Sequence, residues 1–289
     1  TRGGGMSYSY HRPETLEQAW QLAQQQPGAR FIAGGTDLLV KLREGRQPPP
    51  PALISLRNID ELRRIEVGEV VRLGALVTIG ELVDDEALGA AYPVLGQAAR
   101  RLGSVQIRNA ATVGGNICNA SPCADTAPPL LVAEARVELA SPTGRREVPL
   151  EDFFVAPGQS RIADDEIVTA LCFDQPAPGT REVYYKKGRV AMDLSLVSVA
   201  VLLQLDGARC TRARVAAGSV APRPLRLRRA EAALEGGPID AARLAEARAA
   251  AAAEVEPITD LRTTADYRRH LVGVLVERAV TALCQGRLG

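Results

Sequence analysis

Ala111-Thr112-Val113-Gly114-Gly115-Asn116 is the most unusual stretch of this 289-residue sequence, and Phe31-Ile32-Ala33-Gly34-Gly35-Thr36-Asp37 repeats its theme of a short apolar strand ending in two glycines. A glycine turn has no Cβ atoms, so backbone N–H groups can approach a phosphate, and a helix N-terminus behind it adds partial positive charge. Taken alone, each stretch is more typical of a plain structural turn. Two together, each with a threonine hydroxyl, favour a dinucleotide held from two sides.

Other signatures of nucleotide binding and hydrolysis are missing from the sequence. Neither G-x-G-x-x-G nor G-x-x-x-x-G-K-[ST] occurs, which excludes a Rossmann fingerprint and a P-loop. No Gly-x-Ser-x-Gly elbow or His-Glu-x-x-His pair occurs either. Any catalysis would therefore depend on a bound cofactor, and we predict no catalytic side chain on this chain.

The composition excludes several classes of protein. Lys and Arg number 35 against 34 Asp and Glu, a net charge of +1 without a basic block, so nucleic acid is excluded as a partner. With 46% apolar and 24% charged residues the chain is globular. Its apolar runs, such as 194–205, are shorter than a membrane span. Five widely spaced cysteines favour reduced thiols, so we expect a cytoplasmic protein without a membrane span.

The hydrophobic periodicity predicts an α+β fold rather than regular βαβ units. Helices are predicted over about 16–23, 37–42, 78–88, 92–102, 226–235, 240–254 and 264–284. Strands are predicted over 30–33, 52–56, 62–78, 133–140, 145–149, 166–173, 181–186 and 193–205. Residues 119–129 are rich in Ser, Pro, Asp and Asn and predict a loop. The composition shifts at about residue 177, which indicates a second domain.

Cys118 and Cys123 lie close to the second glycine pair, as two ligands of an iron–sulfur or zinc site would. Such a site usually needs four ligands, and the next cysteine, Cys172, lies in an apolar strand pattern, so we predict no metal site. Two interpretations stay open for the basic residues Lys186, Lys187 and Arg189. These side chains either place cations near an electron-rich ring or a phosphate, or belong to a solvated strand end.

The sequence closely resembles the FAD-binding subunit of molybdenum hydroxylases. This family includes the medium subunits of carbon monoxide dehydrogenase and quinoline oxidoreductase and the flavin part of xanthine dehydrogenase. The likeness runs from Met6 onward and consists of several ordered motifs at the family spacing. Besides the two glycine stretches, the matching segments are 121–125, 150–154, 165–167, 189–193, 217–224 and 262–278. Asn116-Ile117-Cys118-Asn119 is most similar to bacterial three-subunit xanthine dehydrogenases.

The resemblance implies a set of FAD-binding residues. In the family, the two glycine turns wrap the pyrophosphate and ribose, a carboxylate contacts the flavin nucleotide, apolar positions line the cofactor, and a basic residue lies near the flavin ring. The basic residue is Lys186 or its neighbour Lys187. The implied set is Arg30, Phe31, Ile32, Ala33, Gly34, Gly35, Thr36, Asp37, Leu102, Thr112, Val113, Gly114, Gly115, Asn116, Asp125, Val168 and Lys186.

The resemblance also implies the domain organisation. Residues 6–176 would form the two-subdomain FAD-binding fold of the vanillyl-alcohol oxidase (PCMH) type, with subdomains of about 6–60 and 61–176. Residues 177–289 would form a C-terminal α+β domain with a small antiparallel sheet plus helices. Some family members hold a [4Fe–4S] cluster in a cysteine-rich insertion. Here Asp125-Thr126-Ala127-Pro128 continues directly, so no such cluster is expected.

The function implied by the family is electron transfer rather than substrate chemistry on this chain. A molybdenum cofactor in a separate large subunit oxidises the substrate, and a small [2Fe–2S] subunit relays the electrons. FAD on this chain delivers them to an external acceptor such as NAD+ or a quinone. The implied assembly is a dimer of heterotrimers.

Two alternatives stay open from the sequence. The first is a stand-alone FAD-dependent oxidase or dehydrogenase acting on its own small-molecule substrate, although related oxidases often tether FAD through a His or Cys motif, and none is evident here. The second is an interaction scaffold that has lost the cofactor, which the intact glycines, Thr36, Thr112 and Asp125 argue against. If the site is placed correctly, we expect Gly34→Val or Gly114→Val to abolish FAD binding while leaving the fold largely intact.

Overall fold

A small parallel sheet and two helices form the first layer of the fold in the computed structural model, which describes residues 8–286. Its strands are β1 (Ser9–His11), β2 (Arg30–Ile32) and β3 (Ala52–Ser55), and β3 lies between the other two. Its helices are α1 (Leu16–Gln25) and α2 (Leu38–Arg43). Thr15 caps α1 by accepting a hydrogen bond from the Gln18 amide. The predicted outer bounds, residues 6 and 289, lie outside the described residues.

A five-stranded antiparallel sheet forms the second layer. Its strands are β4 (Ile65–Val67), β5 (Val70–Gly74), β6 (Arg136–Ser141), β7 (Gly144–Pro149) and β10 (Ile167–Asp174), and the hairpin β8 (Phe154–Ala156) and β9 (Gln159–Ser160) is separate. The spatial order is β4-β5-β10-β6-β7. Because β10 is central, seven of its eight residues are buried, and all of these except Thr169 are apolar.

Seven short helices connect and cover this sheet. They are α3 (Ile79–Asp84), α4 (Glu86–Ala91), α5 (Pro93–Arg100), α6 (Val105–Ala110), α7 (Val113–Cys118), α8 (Ala127–Val132) and α9 (Leu150–Phe153). Two 3₁₀ turns, Leu56–Asn58 and Asp60–Leu62, lead from β3 to β4. Tyr92 and Phe173 pack ring against ring in the core between these helices and the sheet, with centroids 4.9 Å apart.

The C-terminal part is a four-stranded antiparallel sheet followed by three helices. The strands, which pair in sequence order, are β11 (Arg181–Lys187), β12 (Val197–Asp206), β13 (Arg209–Gly218) and β14 (Leu225–Arg226). The helices are α10 (Arg228–Leu234), α11 (Ala241–Ala253) and α12 (Ala265–Cys284). The buried positions of α12, from Leu271 to Leu283, recur every three or four residues and face the sheet.

Both faces of the C-terminal sheet are covered. Ala200 and Leu202 of β12 belong to the core of the preceding part, whereas the alternate residues Val199 and Val201 belong to a second core beneath α11 and α12. The two parts of the chain therefore share a packed, apolar interface.

The predicted α+β class is confirmed, but one local prediction is wrong. Residues 111–116 do not end a strand: Thr112 makes only an isolated bridge to Thr78, and both glycines lie within α7. The Oγ1 of Thr112 accepts a hydrogen bond from the Gly115 amide, which caps the helix. Ser104 caps α6 in the same way, so two short capped helices replace the predicted strand and turn.

Three other boundaries differ from the prediction. The helix after the first glycine turn begins at Leu38 with Asp37 as its N-cap residue, and Thr36 does not cap it. The predicted loop 119–129 is confirmed over residues 119–126, but its last three residues begin α8, because prolines fit the first turn of a helix, where no amide bond is lost. β12 begins at Val197 rather than at residue 193.

Within residues 8–286, no helix is both long and apolar enough to cross a bilayer.

Candidate functional site

A cleft of about 850 Å³ lies between the first layer and α7. Most of the predicted cofactor-binding residues line it: Arg30, Phe31, Ile32, Ala33, Gly34, Gly35, Thr36, Asp37, Thr112, Gly114, Gly115, Asn116 and Val168. The structure thus brings the two glycine pairs together although they are about 80 positions apart in the sequence. Four predicted residues, Leu102, Val113, Asp125 and Lys186, lie outside this lining.

The first glycine turn presents free backbone donors. Within residues 8–286, the N–H groups of Gly34, Gly35, Thr36 and Asp37 donate to no protein acceptor. Gly35 has φ +74°, a left-handed conformation that glycine adopts without strain and that folds the turn back into α2. A run of free amides around such a turn is an anion-binding concavity.

Arg57 braces this turn from behind. Its Nε donates to the carbonyl oxygen of Ala33 at 3.1 Å, and its Nη2 donates to that of Gly34 at 3.2 Å. In a trans peptide the carbonyl and the following N–H point in opposite directions. Holding both carbonyls on the Arg57 side therefore directs the Gly34 and Gly35 amides away from it.

The second glycine pair works differently, because its amides are already used. The Val113 and Gly114 amides donate to the carbonyls of Val77 and Ala75, and the Gly115 amide donates to Thr112 Oγ1. This glycine pair therefore contributes shape and side chains to the cleft rather than free backbone donors of its own.

Gly34 and Gly114 are needed for close packing of the chain on itself. A Cβ atom on Gly34 would lie 2.1 Å from the Ala110 carbonyl oxygen, and one on Gly114 would lie 2.6 Å from Ala75 Cβ. The expectation that valine at either position leaves the fold largely intact therefore rests on a wrong premise. The added atoms would meet protein backbone before they met any ligand.

Three polar residues of the cleft region escape the sequence argument: Lys41, Arg57 and Asn119. Lys41 Nζ donates to Asn119 Oδ1 at 2.5 Å, across the cleft from α2 to the end of α7. Asn119 directly follows the second glycine pair, and Lys41 lies four residues after Asp37. Their proximity to the glycine turns was the only available signal, because basic and amide residues at helix ends are ordinary surface features.

Asp125 and Lys186 form a second, buried site. Lys186 Nζ lies 2.7 Å from Asp125 Oδ2, and Tyr184 donates from its hydroxyl to Asp125 Oδ1 at 2.8 Å. Burial raises the pKa of Asp125 above its usual range, although the charge of Lys186 and both hydrogen bonds act in the opposite direction. Lys186 also donates to the Arg101 carbonyl, which brings it next to Leu102. Lys187 is exposed, so of the two lysines only Lys186 belongs to this cluster.

A hydrogen bond from the residue after Asp125 connects this part of the chain to the cleft. Thr126, next to Asp125, donates from Oγ1 to Asn116 Oδ1 at 2.7 Å, and Asn116 lines the cleft. Val113 faces the core and is fully buried. Cys118 lines the cleft, and burial raises the pKa of its thiol to about 12, so it stays protonated at neutral pH.

Two family models match the chain. Residues 6–173 match the FAD-binding domain in molybdopterin dehydrogenase, and residues 182–283 match the C-terminal domain of the CO dehydrogenase flavoprotein.

Relatives match over nearly the whole chain. The xanthine dehydrogenase FAD-binding subunit of Escherichia coli O157:H7 is 34% identical over 277 residues, 94% of each chain. The carbon monoxide dehydrogenase medium chain of Hydrogenophaga pseudoflava is 33% identical over 279 residues, 95% of this chain and 96% of the relative. Among solved structures, carbon monoxide dehydrogenase from Hydrogenophaga pseudoflava has a TM-score of 0.93 at 32% identity and covers 98% of both chains. Quinoline 2-oxidoreductase from Pseudomonas putida 86 has a TM-score of 0.92 at 28% identity, covering 98% of this chain and 99% of that one.

Proposed function

This chain belongs to the FAD-binding subunits of the molybdenum hydroxylase family, and from that premise we propose that it is the electron-transfer subunit of a heteromeric, xanthine dehydrogenase-like enzyme. In this proposal it receives electrons from a [2Fe–2S] subunit and passes them to an external acceptor such as NAD+ or a quinone. When bound, FAD supplies chemistry that side chains lack, because it can take up single electrons and release two together.

The free amides of the first glycine turn carry this proposal. Gly34, Gly35, Thr36 and Asp37 offer a cleft of about 850 Å³ four consecutive N–H donors that have no acceptor among residues 8–286. A diphosphate needs such a set of donors, since its oxygens are charged acceptors. The volume suits a large ligand. The residues present therefore fit the cofactor that the family binds.

The remaining predicted residues receive proposed roles from their positions. Val168 and Ile32 would give apolar contact in the cleft, where both are part of the lining. Thr112 Oγ1 accepts from the Gly115 amide, so its own hydrogen is free to donate to a ligand oxygen. Leu102, Asp125 and Lys186 would lie near the flavin ring. Their separation from the cleft lining is consistent with an extended ligand whose two ends meet different parts of the protein.

The proposed partners are a large subunit with the molybdenum cofactor and a small [2Fe–2S] subunit, arranged as a dimer of heterotrimers. All five cysteines are free thiols, which supports the proposed cytoplasmic location. We also retain the proposed division at residue 176, which falls between the end of β10 at Asp174 and the start of β11 at Arg181.

The test is purification from the native host under gentle conditions, with a visible spectrum, metal analysis and identification of co-purifying chains. We expect flavin absorbance, molybdenum, iron and two further subunits. Reduction of the flavin by the enzyme's substrate, followed by addition of NAD+ or a quinone, would then identify the acceptor. Flavin on a lone chain that a small molecule reduces directly would instead support the stand-alone oxidase. Failure of the purified chain to take up FAD would refute both.

A further inference from the structure

The side chains of Lys41 and Asn119 meet across the cleft. Lys41 lies in α2, just after the first glycine turn, and Asn119 ends α7, just after the second pair. The distance from Lys41 Nζ to Asn119 Oδ1 is 2.5 Å, and both residues are half-buried and line the cleft. This bond joins segments that are 78 residues apart, and both residues line the same cleft as the free amides.

The charge of Lys41 is not neutralised by the protein. Its partner is a neutral amide, and within residues 8–286 its ammonium forms no ion pair with a carboxylate. Four carboxylates line the cleft. Within residues 8–286, Asp37, Asp164 and Asp165 form no ion pair with Lys41, and Glu166 is engaged by Arg146. A half-buried ammonium without a counter-charge has lost solvation that a neutral acceptor replaces only in part. An anionic ligand in the cleft would supply the missing charge.

Helix geometry directs this ammonium toward the first turn. Side chains on a helix point back toward its N-terminus, and the N-terminus of α2 follows directly on the free amides. Lys41 donates its own amide to the Asp37 carbonyl, which places it one turn beyond those donors. The amides and the ammonium therefore belong to residues that line the same cleft and are one helical turn apart along the chain.

We propose that Lys41 is a further FAD-binding residue, whose ammonium pairs with the diphosphate while Asn119 holds it in position from the second glycine segment. This inference rests on the proposed function and adds the counter-charge that the backbone donors cannot supply. It assigns the two glycine segments unequal parts. The first supplies amides and the cation, and the second supplies the side chain that orients the cation.

The test compares Lys41→Gln with Lys41→Arg and with Arg43→Gln, which removes the same charge from an exposed site on the same helix. FAD is titrated into each apoprotein, and the dissociation constant is measured at several salt concentrations. Charge-assisted hydrogen bonds are worth enough that we expect Lys41→Gln to raise the dissociation constant roughly 10- to 100-fold at low salt. Lys41→Arg should restore affinity to within about threefold of wild type, because it keeps the charge. Arg43→Gln should leave it unchanged.

Two further readouts separate a direct contact from general damage. The salt dependence of FAD affinity should become shallower in Lys41→Gln, because one ionic contact is lost. Asn119→Asp places a carboxylate against the ammonium, so it should also weaken FAD binding although Lys41 is intact. The thermal midpoints of all apoproteins should agree within a few degrees. Riboflavin, which lacks the diphosphate, should bind wild type and Lys41→Gln equally.

The outcomes distinguish this inference from the proposed function. If wild-type protein binds no FAD, the proposed function fails and this inference falls with it. If wild type binds FAD and Lys41→Gln binds it as tightly, with the same salt dependence, the cleft is correctly identified but Lys41 does not contact the diphosphate. Weakening by Lys41→Arg as severe as by Lys41→Gln would also overturn the inference, because charge would then not be the reason.

Discussion

Lys186 and Asp125 form an ion pair that is almost fully removed from water, with Nζ and Oδ2 2.7 Å apart and side chains 4% and 5% exposed. The pair joins β11 of the C-terminal sheet to the loop before α8, so it lies at the interface between the two parts of the chain. Removing two charges from water is costly, and here each keeps a further hydrogen bond, from Tyr184 to Asp125 and from Lys186 to the Arg101 carbonyl.

Breaking this pair should destabilise the apoprotein strongly. Asp125→Asn leaves a buried ammonium without its counter-charge, and Lys186→Met leaves a buried carboxylate. We expect either to lower the free energy of unfolding by about 3–5 kcal/mol. The double variant should recover much of that loss, because neither charge is then left alone. Urea unfolding of the apoproteins measures all three.

A matched control is Asp174→Asn, which breaks the ion pair between Asp174 and Arg136. The Asp174 side chain is 73% exposed. Because water screens such a pair, Asp174→Asn should lower the free energy of unfolding by at most about 1 kcal/mol. Losses of equal size in Asp125→Asn and Asp174→Asn would contradict the importance of burial.

Gly34→Ala tests the close approach of the two glycine segments. Its Cβ would meet the Ala110 carbonyl oxygen at 2.1 Å, so the backbone of one segment must move. We expect a loss of about 2–3 kcal/mol in unfolding free energy, seen as a lower thermal midpoint before any cofactor is added. Gly89→Ala in α4 is the control, since nothing lies within 4 Å of that position. Because Gly89 lies within a helix, this change should stabilise the protein by about 0.5–1 kcal/mol, whereas Gly34→Ala should destabilise it. An unchanged midpoint in Gly34→Ala would show that the two segments can separate freely.

The glycine stretches could be found from the sequence because their chemistry is local. A pair of glycines beside threonine has the same meaning wherever the chain folds, and both pairs do line the cleft. The second stretch was wrongly predicted as a strand followed by a turn. Helices α6 and α7 are only six residues each, which is too short to show helical periodicity. Their capping residues, Ser104 and Thr112, were the readable signal.

The remaining parts of the site depend on tertiary contacts that a single sequence does not reveal. Arg57 becomes a brace only because its 3₁₀ turn packs behind the first glycine turn, and Lys41 gains its role from Asn119. Asp125 and Lys186 were assigned to the flavin by family resemblance. That resemblance gave no indication that they would neutralise each other, since 61 residues separate them.

Glu182 should make stability depend on pH in the neutral range. It is 5% exposed, its Oε1 accepts from the Val94 amide at 3.1 Å, and within residues 8–286 its Oε2 has no hydrogen-bond partner. Burial raises its pKa from 4.5 to about 7. Below pH 4.5 this carboxyl is protonated in both the folded and the unfolded state. Between pH 4.5 and about 7 it ionises in the unfolded state but stays protonated in the folded one, so the free energy of unfolding falls as the pH rises through this range. The change corresponds to about 3 kcal/mol in unfolding free energy.

Glu182→Gln separates this effect from all other titrations. The amide oxygen can still accept from Val94, but the side chain no longer ionises. Urea unfolding between pH 5 and 8 should therefore show wild type losing stability relative to the variant as the pH rises. Parallel pH profiles for the two proteins would mean that Glu182 keeps an ordinary pKa, through water or a local rearrangement.

Arg57→Gln tests whether the first glycine turn must be held in shape to bind the cofactor. The guanidinium fixes the carbonyls of Ala33 and Gly34, and through the planar peptides it also fixes the direction of the Gly34 and Gly35 amides. Without it, both peptides can rotate, and FAD must then bear the cost of ordering them. We expect the dissociation constant for FAD to rise roughly tenfold, which corresponds to about 1.4 kcal/mol. Arg57→Lys should recover part of the affinity, because an ammonium can still donate to one carbonyl. Arg63→Gln is the control, since the Arg63 side chain is exposed and, within residues 8–286, donates only to the Arg57 carbonyl. If Arg57→Gln and Arg63→Gln bind FAD equally well, the turn keeps its shape without the guanidinium, and the free amides alone account for the affinity of the cleft.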